Sequence, residues 1–71
     1  MDPQPYVDRQ RHLVCRPYSV ENLHRTAAAL GIKRCWFHRD HYDVPKRMQA
    51  RIEAVALKVR PREIVAIIRG D

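Results

Sequence analysis

Cys35, His38 and His41 stand three residues apart, with Asp40 and Asp43 between and beside them. Thiolate, imidazole and carboxylate are the donors zinc prefers, and a short loop after a strand aims several of them at one ion. Cys15 and His24 are further donors from elsewhere in the chain. The spacing departs from the paired two-residue gaps of common structural zinc sites, and alternation along a strand sends Cys35 and Trp36 to opposite faces. The competing reading is a buried Cys35 beside two surface histidines, with Trp36 in the core because of the area its burial removes from water. Zinc is the one cofactor this pattern suggests; otherwise none is expected.

His41-Tyr42-Asp43 is also an acid–base candidate, since a carboxylate near an imidazole holds a base in its working tautomer and ligands gather at strand ends in open α/β sheets. Asp43 has a competing role as a helix cap. No glycine-rich phosphate loop, nucleophile elbow or paired-carboxylate motif accompanies it.

A third group is basic. Arg47, Arg51 and Lys58 step by four and seven, with Lys46 alongside, and define a stripe turned away from Met48, Ile52 and Val55. Arg60 and Arg62 extend it, and Arg9, Arg11 and Arg16 form a second group near the start. Guanidinium groups along one face neutralise successive phosphates with little sequence preference. A merely solvated helix face has the same pattern.

These residues need elements to place them. Residues 1–11 are polar, carry Pro3 and Pro5, and read as an arm or an edge strand around Tyr6-Val7-Asp8. His12 to Tyr18, with Leu13-Val14-Cys15, reads as the first full strand. A helix over 19–30 follows from Ser19 as N-cap, the apolar steps Val20, Leu23, Ala27 and Leu30, and Gly31 at the end. Lys33–His38 reads as a second strand, and Arg39–Asp43 as a turn. A second helix is expected from Pro45 to about Leu57, then a very short strand over Lys58–Arg60 and a third helix from Pro61 to Gly70. The alternation predicts an α/β domain spanning residues 1–71, with a small, mostly parallel sheet of two to three short strands packed by three helices.

Composition narrows the class of protein. Seventy-one residues support one core, and 45% apolar residues with two glycines describe a folded chain. Fourteen Lys and Arg against eight Asp and Glu leave a net charge of +6, which attracts polyanions. No apolar run reaches bilayer length, and the start lacks the pattern of an export signal, so a soluble cytoplasmic protein with no membrane partner is expected. Two cysteines are too few for a disulfide scaffold, although a Cys15–Cys35 bridge between neighbouring strands stays open.

Trp36-Phe37 followed by His41-Tyr42-Asp43-Val44 resembles a small family of uncharacterised domains of bacteria and phages. The likeness takes in Tyr6-Val7-Asp8, the helix from Glu21-Asn22-Leu23-His24 to Ala29-Leu30-Gly31, and Val59 to Ile64. Where that family often has a capping serine or threonine, this chain has Arg60. The family has no assigned activity. What the resemblance implies is a setting, phages and mobile elements, in which compact genes encode nucleic-acid-binding accessories or inhibitors of host proteins.

The leading expectation is a non-catalytic binding module that engages nucleic acid, or a nucleic-acid-handling protein, through Lys46, Arg47, Arg51, Lys58, Arg60 and Arg62. One alternative is an inhibitor that occupies a host defence protein. Another is a small metal-dependent or acid–base enzyme centred on His38, His41 and Asp43. Ile64, Val65, Ile67 and Ile68 offer more apolar surface than one helix face needs, which suggests a homodimer.

Overall fold

The structure is a computed structural model describing residues 2–70. The apolar run Leu13-Val14-Cys15 organises it. Successive side chains of a strand point to opposite faces, so a strand apolar at every position must be covered on both. Strand β2 (His12–Arg16) meets this condition. Its Leu13 and Cys15 pack against Leu23 and Ala27 of helix α1 (Val20–Ala29) and Ile52 of helix α2 (Gln49–Val55). Its Val14 packs on the other side against Ile64 and Ile67 of helix α3 (Pro61–Arg69). The result is three layers, with α1 and α2 on one face of the sheet and α3 on the other.

The sheet overturns the expected topology. It has five strands, adding β1 (Gln4–Val7), β3 (Phe37–His38), β4 (His41–Asp43) and β5 (Leu57–Lys58), in the order β3-β4-β2-β1-β5. Only β1 and β5 run parallel; β1–β2, β2–β4 and β3–β4 are antiparallel. The mostly parallel reading fails because the N-terminal segment expected as an arm or edge strand turns back onto β2 as a hairpin and lies between β2 and β5.

Asp8 makes that hairpin. Its carboxylate accepts from the backbone N–H groups of Gln10 and His12 at 3.0 and 2.9 Å, while Arg11 takes a φ of 66°. An Asx-type turn of this kind is short-range chemistry that replaces a glycine. The second hairpin joins β3 to β4 through Arg39 (φ 58°) and Asp40, whose carbonyl accepts from the Tyr18 hydroxyl at 2.8 Å. The segment expected as a turn is therefore half strand, and Asp43 pairs with His12 instead of capping a helix. The preceding segment, expected as strand, is a 3-10 turn over Arg34–Trp36.

The first helix follows its signals. The Ser19 hydroxyl accepts from Asn22 N–H at 2.9 Å. At the other end Gly31 adopts φ 81°, its N–H bonds to Ala28 and that of Ile32 to Ala27, and the Ile32 side chain is buried. Glycine at the left-handed position followed by an apolar residue is the Schellman ending. The second helix begins later than expected, after a 3-10 turn over Lys46–Met48. Gly70 ends α3 with φ 82°.

Trp36 is 39% exposed and is not among the core residues, contrary to its expected burial; the 3-10 turn leaves it outside the sheet. Both cysteines are free: Cys15 is buried beneath α1, and Cys35 is exposed on the turn. Burial pushes the Cys15 thiol pKa up, against the opposing hydrogen bonds from Thr26 and Ser19. Among the described residues no helix is long and apolar enough to cross a membrane.

Candidate functional site

The face covered by α3 is only half covered. Register fixes what the open half displays, because residues paired across antiparallel strands share a face. His12 pairs with Asp43, and His38 with His41, while His41 and Asp43 are two apart on β4. His12 has the same parity on β2 as Val14, the residue packed under α3. Three adjacent strands therefore put His12, His41, Asp43 and His38 on the α3 side. The rings of His12 and His41 meet edge to face at 4.8 Å, and those of His38 and His41 lie 5.5 Å apart.

Carboxylates hold these imidazoles. The Nδ1 of His12 is 3.0 Å from Oδ2 of Asp8, a fully buried carboxylate whose other oxygen anchors the β1–β2 turn. The Nδ1 of His41 is 2.8 Å from Asp40 Oδ1, and its Nε2 is 3.3 Å from Asp43 Oδ1. A carboxylate on one ring nitrogen fixes the tautomer and raises the basicity of the other nitrogen. One donor atom each from His12, His41 and Asp43 falls within a mutual spread of 4.8 Å. Cys35 and His38, singled out with His41 by sequence spacing, are not in that group. His12 and Asp8 were missed, although the Asp8/His12 spacing around a turn was a usable signal. His41 and Asp43 do meet, since a strand, unlike a turn, sends alternate residues to one side.

A cleft of about 500 Å³ lies between this floor and α3, with His12, Asp40 and His41 below and Pro61, Val65 and Ile68 along the helix wall. Ile64 and Ile67, expected to offer a dimer face, are buried against the chain's own sheet, and Val65 is 48% exposed. Pro61 also lines a second cleft of about 600 Å³, where Arg9 from the first hairpin meets Lys58 and Arg60, with Glu63 beside them. No side chain caps the first turn of α3 there.

The basic residues divide accordingly. Lys58 and Arg60 reach the second cleft, joined by Arg9, and Arg62 is exposed on the first turn of α3. Lys46 and Arg47 sit on the 3-10 turn before α2, and Arg51 lies near Gly31 at the end of α1, in the opposite layer. They form no single stripe with the α3 group.

His24 is on the far face. Its Nδ1 is 2.6 Å from the Tyr42 hydroxyl and its ring packs against Phe37. Burial lowers its pKa, aided by the charge of Arg34, so the neutral ring accepts the tyrosine proton. Burial also raises the pKa of Tyr42, with Arg34 opposing. This pair is structural.

Fold and site define a small three-layer α/β domain with a carboxylate-backed histidine cluster on a half-covered sheet. The chain belongs to a protein family of unknown function, DUF4031, whose model matches residues 4–71. No curated protein and no solved structure matches it.

Proposed function

We propose that the protein is a small binding module for the phosphate backbone of nucleic acid, with the Arg9–Lys58–Arg60 cleft as its centre. The observation that carries this reading is convergence: three cations from two distant segments line one cleft at the start of α3. The first turn of that helix has no side-chain cap, and its N–H groups and dipole favour an anion at the same place. The net charge of +6 adds long-range attraction. Glu63 lines the cleft, and Lys58 is 3.7 Å from Glu53, so both acids compete with a phosphate for these cations. The local balance still favours an anion, because Arg9 and Arg60 remain.

The test is fluorescence anisotropy of a labelled oligonucleotide across a salt series. Log affinity is expected to fall linearly with log salt, and Arg9→Ala and Arg60→Ala are each expected to flatten the slope by about 1. Arg51→Ala, in the other layer, is expected to have a smaller effect. Salt-insensitive binding, or variants with the parental slope, would refute the reading. A stoichiometric complex with an acidic host protein that survives moderate salt would replace it with the inhibitor alternative.

A further inference from the structure

We propose that His12, His41 and Asp43 form a binding site for one divalent transition-metal ion, zinc in the first instance, with a coordination position open to the cleft under α3. Two imidazoles and a carboxylate are a zinc donor set, and three protein ligands leave the fourth position to water, as in catalytic and not structural sites.

The hydrogen bonding around His41 argues for a cation. A neutral imidazole has one N–H, and Asp40 at 2.8 Å takes it from Nδ1. Nε2 then presents a lone pair to Asp43 Oδ1 at 3.3 Å, so two acceptors face each other. An ion between them turns this repulsion into two bonds; a second proton on the ring is the other way to reconcile them. The second ligand is prepared in the same manner. The Nδ1 of His12 is engaged by buried Asp8, which leaves Nε2 as its donor atom. Each histidine ligand thus has the outer carboxylate partner common around metal-bound histidines.

Charge and geometry agree. Asp8, Asp40 and Asp43 place three of the chain's eight acidic residues around two histidines, within a protein of net charge +6. Ligands about 2.1 Å from a tetrahedral ion lie about 3.4 Å apart. The 4.8 Å spread of the three donors closes by side-chain rotation, which the 51% exposed Asp43 side chain allows. The site does not depend on nucleic-acid binding.

The experiment is calorimetric titration of the chelator-stripped full chain with zinc, paralleled by the visible spectrum with cobalt(II). Saturation at one equivalent is expected, with a cobalt spectrum that lacks thiolate charge transfer. His41→Ala and Asp43→Asn are expected to abolish or severely weaken binding, Asp40→Asn to weaken it about 10–100-fold, and Cys35→Ser to leave it unchanged. His12→Ala strands the buried Asp8 and endangers the fold; the half-exposed Asp43→Asn does not, and a thermal melt of each variant checks this. Absence of saturable binding, parental affinity in both His41→Ala and Asp43→Asn, or loss in Cys35→Ser would overturn the proposal. No zinc uptake together with an imidazole doubly protonated by nitrogen NMR would assign the second proton in its place.

Discussion

Replacing Asp8 tests the link between the first hairpin and the histidine floor. The side chain is fully buried and accepts three hydrogen bonds, from Gln10 N–H at 3.0 Å, His12 N–H at 2.9 Å and His12 Nδ1 at 3.0 Å. Hydrogen bonds to a charged group contribute about 1.5–3 kcal/mol each, and those stranded in the interior cost most. Gln10 is exposed and its N–H regains water, so Asp8→Ala should cost about 3–5 kcal/mol. A chain of 71 residues has about 4–11 kcal/mol to lose, so alanine brings the domain close to unfolding. Asn keeps the oxygen that accepts both backbone bonds and loses the charge-assisted bond to the ring, about 1–2 kcal/mol. At about 4–8 °C per kcal/mol, Asp8→Asn should lower Tm by about 4–16 °C. Thermal denaturation by circular dichroism measures both variants, and a double-mutant cycle with His12→Ala should give a coupling of about 1–3 kcal/mol. An alanine variant that melts within about 2 °C of the parent would refute this account, because the turn would not depend on the carboxylate.

Leu23 is fully buried between α1 and the sheet, so Leu23→Ala should cost about 2–5 kcal/mol in chemical denaturation. Trp36→Ala should cost less than Leu23→Ala, and the reverse order would return Trp36 to the core. His24 gives a pH dependence of known sign. Its folded pKa lies below the unfolded value of about 6.5, so the unfolded chain binds more protons in acid. The stability it contributes is complete above about 6.5 and is lost as pH falls toward the folded pKa. Tm measured from neutral to mildly acidic pH should therefore fall less steeply in His24→Gln than in the parent, and equal slopes would exclude His24 as a source.

Elements whose ends are marked by local chemistry were legible. Ser19 and Gly31 bracket α1, and Pro61 and Gly70 bracket α3. The strands β3 and β4 were not, because two or three residues are too few for an alternation to register, and Arg39 makes its turn with positive φ without being glycine. The candidate site was half legible: His41 and Asp43 stand close in sequence, whereas His12 reaches them only through the β2–β4 register. Arg9 was noted only as part of a general positive charge, since its approach to Lys58 and Arg60 depends on the first hairpin.

The sequence by itself determined the class of the domain, its basic character and the ends of its first and last helices, because each depends on composition or on residues within a turn of one another. Tertiary structure alone decided strand order, direction and the membership of the two clefts. A strand pairs through backbone groups that every residue carries, so side chains only weakly specify the partner, and the turn at Asp8 settled what the apolar pattern left open.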